Sequence, residues 1–284
     1  MRLIGLFFIL LFAMENASFA AEWGSREWSL PELLELLRTT PTGKALLAKA
    51  QAKDQKFLTQ IYKGRVSFTE NTYSRSYSLL DGQEEIHVSE TITIGDSLAK
   101  SDAVVDLAHE LTHFAYKQFM SPYHLELTKT EFIHNGIEGR GGELDAFAVE
   151  CRVAWELQKK YLNFPDHSLC KHYRVGELGF SRALAKQDYY AVGKIVSKSD
   201  ASLLQSFPAY SQKLPVFTSS YAHLPYPLAL AKEYEDTRRS ACENNAKKYK
   251  LIASQSTKGR APSSLRLESE VLRLTAFRQN FCQN

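Results

Sequence analysis

The chain has 284 residues and a formal charge of +3, with 44% hydrophobic and 24% charged residues. That balance is ordinary for a globular protein and excludes fibrous, disordered and polytopic membrane classes; so small a net charge gives no reason to expect a nucleic-acid partner. The charge is uneven, because residues 232–284 hold 11 Lys and Arg against 6 Asp and Glu. This basic C-terminal region is suited either to contact with an anionic surface or simply to forming a solvated helix face.

Residues 1–20 read as a secretory signal peptide: Arg2 supplies the charge, Leu3 to Met14 the apolar run, and Ser18-Phe19-Ala20 the cleavage site. The expectation is a secreted or periplasmic chain with no transmembrane anchor after cleavage. Residues 21–284 are long enough for one domain of two lobes, divided near 21–120 and 121–284. In an exported protein the four cysteines predict two disulfides; proximity along the chain pairs Cys151 with Cys170 and Cys242 with Cys282.

Ser29-Leu30-Pro31-Glu32 has the form of a capping box and opens a short helix. Thr40-Pro41 interrupts it, and a helical pattern resumes from Ala45 to Tyr62. From Arg65 to Gly95, β-branched and aromatic residues alternate with polar ones around an Asp81-Gly82 turn, which predicts a small, mostly antiparallel sheet. Ser101-Asp102 can cap a helix running to about Phe119, followed by a break at Ser121-Pro122 and a long connection from Pro122 to Gly142. A helix is then expected from Gly142 to Tyr161, and others near 181–190, 227–250 and 264–279. The fold class is therefore α+β, a small sheet followed by a helical C-terminal lobe.

The helix over residues 101–119 contains His109-Glu110-Leu111-Thr112-His113. Successive helical residues turn by about 100°, so the histidines stand about 40° apart, one turn above the other, where both imidazoles can reach one ion. Glu110 is offset by one residue and points beside the ion, the position of a general base. The apolar stripe of this helix is Val104, Ala108, Leu111 and Ala115, a face the histidines do not share.

Two histidines do not complete a catalytic zinc site. The metzincin solution is absent, because Tyr116 and Phe119 stand where its glycine and histidine would be. The remaining donors are the carboxylates of Gly141 to Glu150, GGELDAFAVE, and His124 or His134 in the connecting segment. Asp145 is turned about 200° from Glu143 on a helix and is the weaker carboxylate.

HExxH followed thirty residues later by Glu143-Leu144-Asp145-Ala146 resembles the gluzincin metallopeptidases, over residues 91–155. The resemblance implies a zincin-like fold, one zinc ion, Glu143 as third ligand, and a strand near Thr91 to Ile94 that edges the cleft and pairs with an extended peptide or protein substrate. Phe147 departs from the pattern: the family commonly has there an aspartate that steadies a ligand histidine, a task open here to Glu150 or Asp106. Tyr221 and His223 are candidates for an oxyanion donor. The rival expectation is a binding or structural protein that keeps a metal for stability; a zinc hydrolase acting on a non-peptide bond would share the same residues.

Overall fold

The computed structural model describes residues 22–78, 84–118, 120, 121, 123, 127–194, 197–256 and 265–282. The segment expected to be a leader, the Asp81-Gly82 pair expected to turn, Phe119, Pro122 and His124 lie outside the described residues. The fold is α+β, with a mixed three-stranded sheet. Its residues fall into two compact units that interleave along the chain, one comprising 1–70, 90–118 and 137–189, the other 71–89, 119–136 and 190–284. The division is thus not the chain-order one near residue 120. The helix bearing Glu143 falls in the unit that holds the histidine pair.

In the first unit, α1 (Leu30–Arg38) begins with the capping box: the Ser29 amide donates to Glu32 Oε2 (2.7 Å) and the Glu32 amide to Ser29 Oγ (3.4 Å). Thr40 caps α2 (Pro41–Lys53), accepting from the Gly43 amide at 3.0 Å. The helix predicted to run to Tyr62 ends at Lys53, where Asp54 turns extended; a 3-10 turn at Phe57–Gln60 and strand β1 (Ile61–Gly64) follow. Ile61 is drawn into the sheet because Ile92 and Ile94 of the partner strand are buried beside it.

Strands β2 (Phe68–Tyr77) and β3 (Glu84–Gly95) complete the order β1-β3-β2. β1 pairs with β3 in parallel, Ile61 opposite Ile92 and Lys63 opposite Ile94, so the sheet is mixed, with one parallel pair that a hairpin-only reading omits. Next comes α3 (Lys100–Tyr116), which begins without a side-chain cap, not at a Ser101 cap, and stops before Phe119 as Lys117 becomes extended. Its buried face, with Val104, Leu107, Ala108, Leu111 and Phe114, packs on α1, α2 and the sheet. Helix α5 (Glu143–Lys160) packs on α3 more extensively than any other pair of elements, and Ala146, fully buried, is small enough to permit it.

Past α5, the Cys151–Cys170 disulfide ties α5 to the short helix α6 (Ser168–His172). The two-stranded ribbon β4 (Arg174–Val175) and β5 (Gly179–Phe180) leads into α7 (Arg182–Tyr189). Phe147 belongs to this core, edge-on to Tyr173 (5.2 Å) and Phe180 (5.4 Å).

The second unit contains α4 (Lys129–Ile137, up to Gly136), α8 (Lys198–Leu204), α9 (Tyr226–Ser256) and α10 (Leu265–Phe281). Helix α4 lies in the segment expected to be a plain connection. Its signal was Thr128-Lys129-Thr130-Glu131, a second capping box in which the Thr128 amide donates to Glu131 Oε2 (2.9 Å) and the Glu131 amide to Thr128 Oγ1 (3.1 Å). The Cys242–Cys282 disulfide joins α9 to the end of α10. Several C-terminal cations are neutralised locally: Lys248 and Arg273 share Glu270, and Lys232 and Arg239 share Asp236. Among the described residues no helix is long and apolar enough to cross a membrane.

Candidate metal centre

His109 and His113 project from one face of α3 with ring centroids 4.9 Å apart, and Glu143 meets them from the first turn of α5. His109 Nε2 lies 3.4 Å from Glu143 Oε2, and His113 Nε2 lies 3.5 Å from Glu143 Oε1. One nitrogen from each ring and a carboxylate oxygen fall within 4.8 Å of one another. Ligand atoms on a tetrahedral ion with bonds of about 2.1 Å stand about 3.4 Å apart, so the spacing fits a single small divalent cation. Glu143 Oε2 is buried and makes no well-formed hydrogen bond among the described residues; the nearest donor, His109 Nε2, stands off at 3.4 Å.

The outer nitrogens are engaged. His113 Nδ1 lies 2.8 Å from the Gly141 carbonyl oxygen, and a carbonyl can only accept, so Nδ1 carries the proton and Nε2 keeps its lone pair facing Glu143. His109 Nδ1 lies 2.8 Å from Glu150 Oε2, which fixes the other ring in the same sense. Gly141 reaches His113 because its backbone is left-handed (φ 69°) and presses against α3; a Cβ there would sit 2.4 Å from the Lys117 nitrogen. Asp145 Oδ2 accepts from the Gly141 amide (2.9 Å), so this carboxylate supports the turn and stands outside the ligand set.

Glu110 is 6% exposed and lies beside the pair, with Thr69 Oγ1 2.8 Å from its Oε2. Burial pushes its carboxyl up to about 8, against the opposing pull of His109. Burial also lowers His113 to about 4. His109 behaves oppositely: burial would lower it, but the carboxylates of Glu143 and Glu150 outweigh that and hold it well above the usual range. For Glu143 burial is likewise outweighed, by His113 and His109, which keep the carboxyl at about 2. Without a metal, protonated His109 is the counter-charge of this carboxylate, while His113 is neutral at neutral pH.

Of the two carboxylates considered for steadying a histidine, Glu150 makes the contact. Asp106 Oδ2 has no hydrogen-bond partner among the described residues, and burial raises that carboxyl to about 6. Tyr221 and His223 belong to the second unit: the Tyr221 hydroxyl donates to Asp236 (3.0 Å), and His223 has a left-handed backbone (φ 53°). His134 is an exposed residue of α4, also in that unit.

Two neighbours of the centre had no motif to announce them. Thr69 comes from β2, and His167 Nε2 stands 3.6 Å from Glu150 Oε1 because the disulfide draws α6 beside α5. Glu150, His167 and Cys170 also cluster, but the Cys170 sulfur is spent in the disulfide and cannot ligate. The strand expected to edge the cleft, Thr91 to Ile94, lies in β3, the middle strand of the sheet, so its edges are already paired; the outer strand beside Glu110 is β2. No protein-family model, curated protein or solved structure matches the chain.

Proposed function

We propose that the chain is a zinc-dependent metallopeptidase of the gluzincin type, secreted or periplasmic, in which His109, His113 and Glu143 hold one zinc ion and Glu110 is the general base. The observation that carries this reading is the pairing of two imidazoles, each with Nδ1 engaged and Nε2 turned inward, with a buried carboxylate oxygen that has no well-formed hydrogen bond. Zinc bound by such a donor set supplies Lewis acidity, polarising a carbonyl and making water acidic near neutral pH.

The protein groups divide the remaining work. Glu110 takes the proton from the attacking water and returns it to the leaving amine. Thr69 pins one oxygen of that carboxylate, so proton transfer runs through the other. Glu150 and the Gly141 carbonyl keep the imidazoles from rotating. The outer edge of β2 is the strand edge suited to an extended peptide, which it would bind by backbone pairing with little regard for side-chain identity. Two disulfides fit an oxidising compartment.

The test is to purify the mature chain, count bound zinc, and compare wild type with Glu110→Gln on an unstructured protein substrate. The expected result is one zinc per chain in both, with cleavage lost in the variant. Equal zinc and no cleavage by either protein would favour a metal kept for stability and overturn the peptidase reading.

A further inference from the structure

The first unit contains a cavity of about 280 Å³ whose lining includes three arginines, Arg140, Arg152 and Arg182, and one carboxylate, Asp145, together with Thr112 and Tyr116. Asp145, Arg152 and their neighbour Ala148 lie on the side of α5 turned about 140° to 200° from Glu143, so this cavity is distinct from the metal centre. Its charge is unbalanced. The one carboxylate is already committed at both oxygens, Oδ2 to the Gly141 amide (2.9 Å) and Oδ1 to Arg182 (2.5 Å).

The other two guanidiniums have no acid. Arg140 lies over the Tyr116 ring, 5.4 Å from its centroid, and among the described residues neither it nor Arg152 is within ion-pair distance of a carboxylate. Like charges gathered around one concavity repel, and the cavity focuses their field. A guanidinium offers its donors as a planar fork, which matches two oxygens of a phosphate, sulfate or carboxylate. Two such forks without acids, a third shared with Asp145, and the ring-bearing Tyr116 beside Arg140 make a complementary lining for a small ion with several acceptor oxygens; the Thr112 hydroxyl takes no part, since it donates to the Ala108 carbonyl at 2.8 Å.

We infer that this cavity is a binding site for a small oxyanion of two or more charges, a phosphate-type or polycarboxylate ion. The excess of two positive charges sets the charge of the ligand, and the fork geometry sets its chemistry. A simple monovalent halide satisfies neither.

Binding is tested on the full mature chain after exhaustive chelation, so that no oxyanion can report through a bound metal and the outcome is independent of the peptidase reading. Orthophosphate, pyrophosphate and citrate are titrated by calorimetry and thermal denaturation against sodium chloride at matched ionic strength. Saturable binding with a rise in Tm beyond the chloride control is expected. The relative affinities of the phosphates and citrate distinguish the two sources of the ion. Arg140→Ala and Arg152→Ala, both at exposed positions and so compatible with folding, each weaken binding by about tenfold or more. Arg152→Lys, which keeps the charge and loses the fork, falls between. An effect that merely follows ionic strength, or saturable binding that persists unchanged in both alanine variants, would overturn the assignment.

Discussion

Replacing Glu150 by alanine tests whether the metal centre depends on the group behind its ligand. Glu150 touches no inward-facing nitrogen; it holds His109 Nδ1 at 2.8 Å with a side chain only 14% exposed. Removing it frees the imidazole to rotate about its last torsion and to exchange tautomers, so Nε2 is presented to an ion only part of the time. Loss of such a partner weakens metal binding by about 10- to 100-fold, equivalent to about 1.4 to 2.8 kcal/mol. Glu150→Gln keeps an oxygen that can accept from Nδ1–H and should lose less than about tenfold. The assay is competition for zinc against a chromogenic chelator at neutral pH, with circular dichroism to verify folding. A Glu150→Ala protein that is folded and binds zinc within twofold of wild type would refute the reasoning.

Glu143→Ala removes a ligand itself and should lower zinc affinity well beyond Glu150→Ala in the same titration; equal affinity to wild type would remove Glu143 from the site. Gly141→Ala forces a Cβ to 2.4 Å from the Lys117 nitrogen at φ 69°, and should cost about 2 kcal/mol or more in denaturant unfolding while weakening zinc through the displaced carbonyl. Burial would raise the Glu270 carboxyl, but Arg273 and Lys248 outweigh it and hold it at about 2, so its stabilisation is complete above the ordinary 4.5 and lost as pH falls through about 2. Glu270→Gln, measured by unfolding from pH 2 to 7, should therefore destabilise by no more than about 3 kcal/mol above pH 5, with the difference shrinking toward pH 2. Replacing both Cys242 and Cys282 by serine opens a loop of sequence separation 40 and should cost about 4 kcal/mol, read as a lowered urea midpoint.

What could be read directly from the chain was whatever one element fixes by itself. The spacing of His109 and His113 follows from helix geometry alone, and the Ser29–Glu32 capping box from four consecutive residues. The second capping box, Thr128 to Glu131, is equally local and marks the start of α4 within the expected connection. From Ala45 to Tyr62 the structure departs from the helical pattern for a different reason: alanine and lysine favour a helix, but Ile61 is worth more to the sheet, opposite the buried Ile92.

The tertiary structure decided everything that requires two elements to meet. Glu143 stands by the histidines because Ala146 lets α5 close on α3, and Glu150 rather than Asp106 reaches His109 because α5 presents it there. Thr69, His167 and the three-arginine cavity have no spacing rule, since their neighbours are set by strand order, a disulfide and helix packing. A helix fixes angles among its own residues through repeated backbone hydrogen bonds, whereas contacts between elements depend on side-chain volumes and loop paths summed over the whole unit.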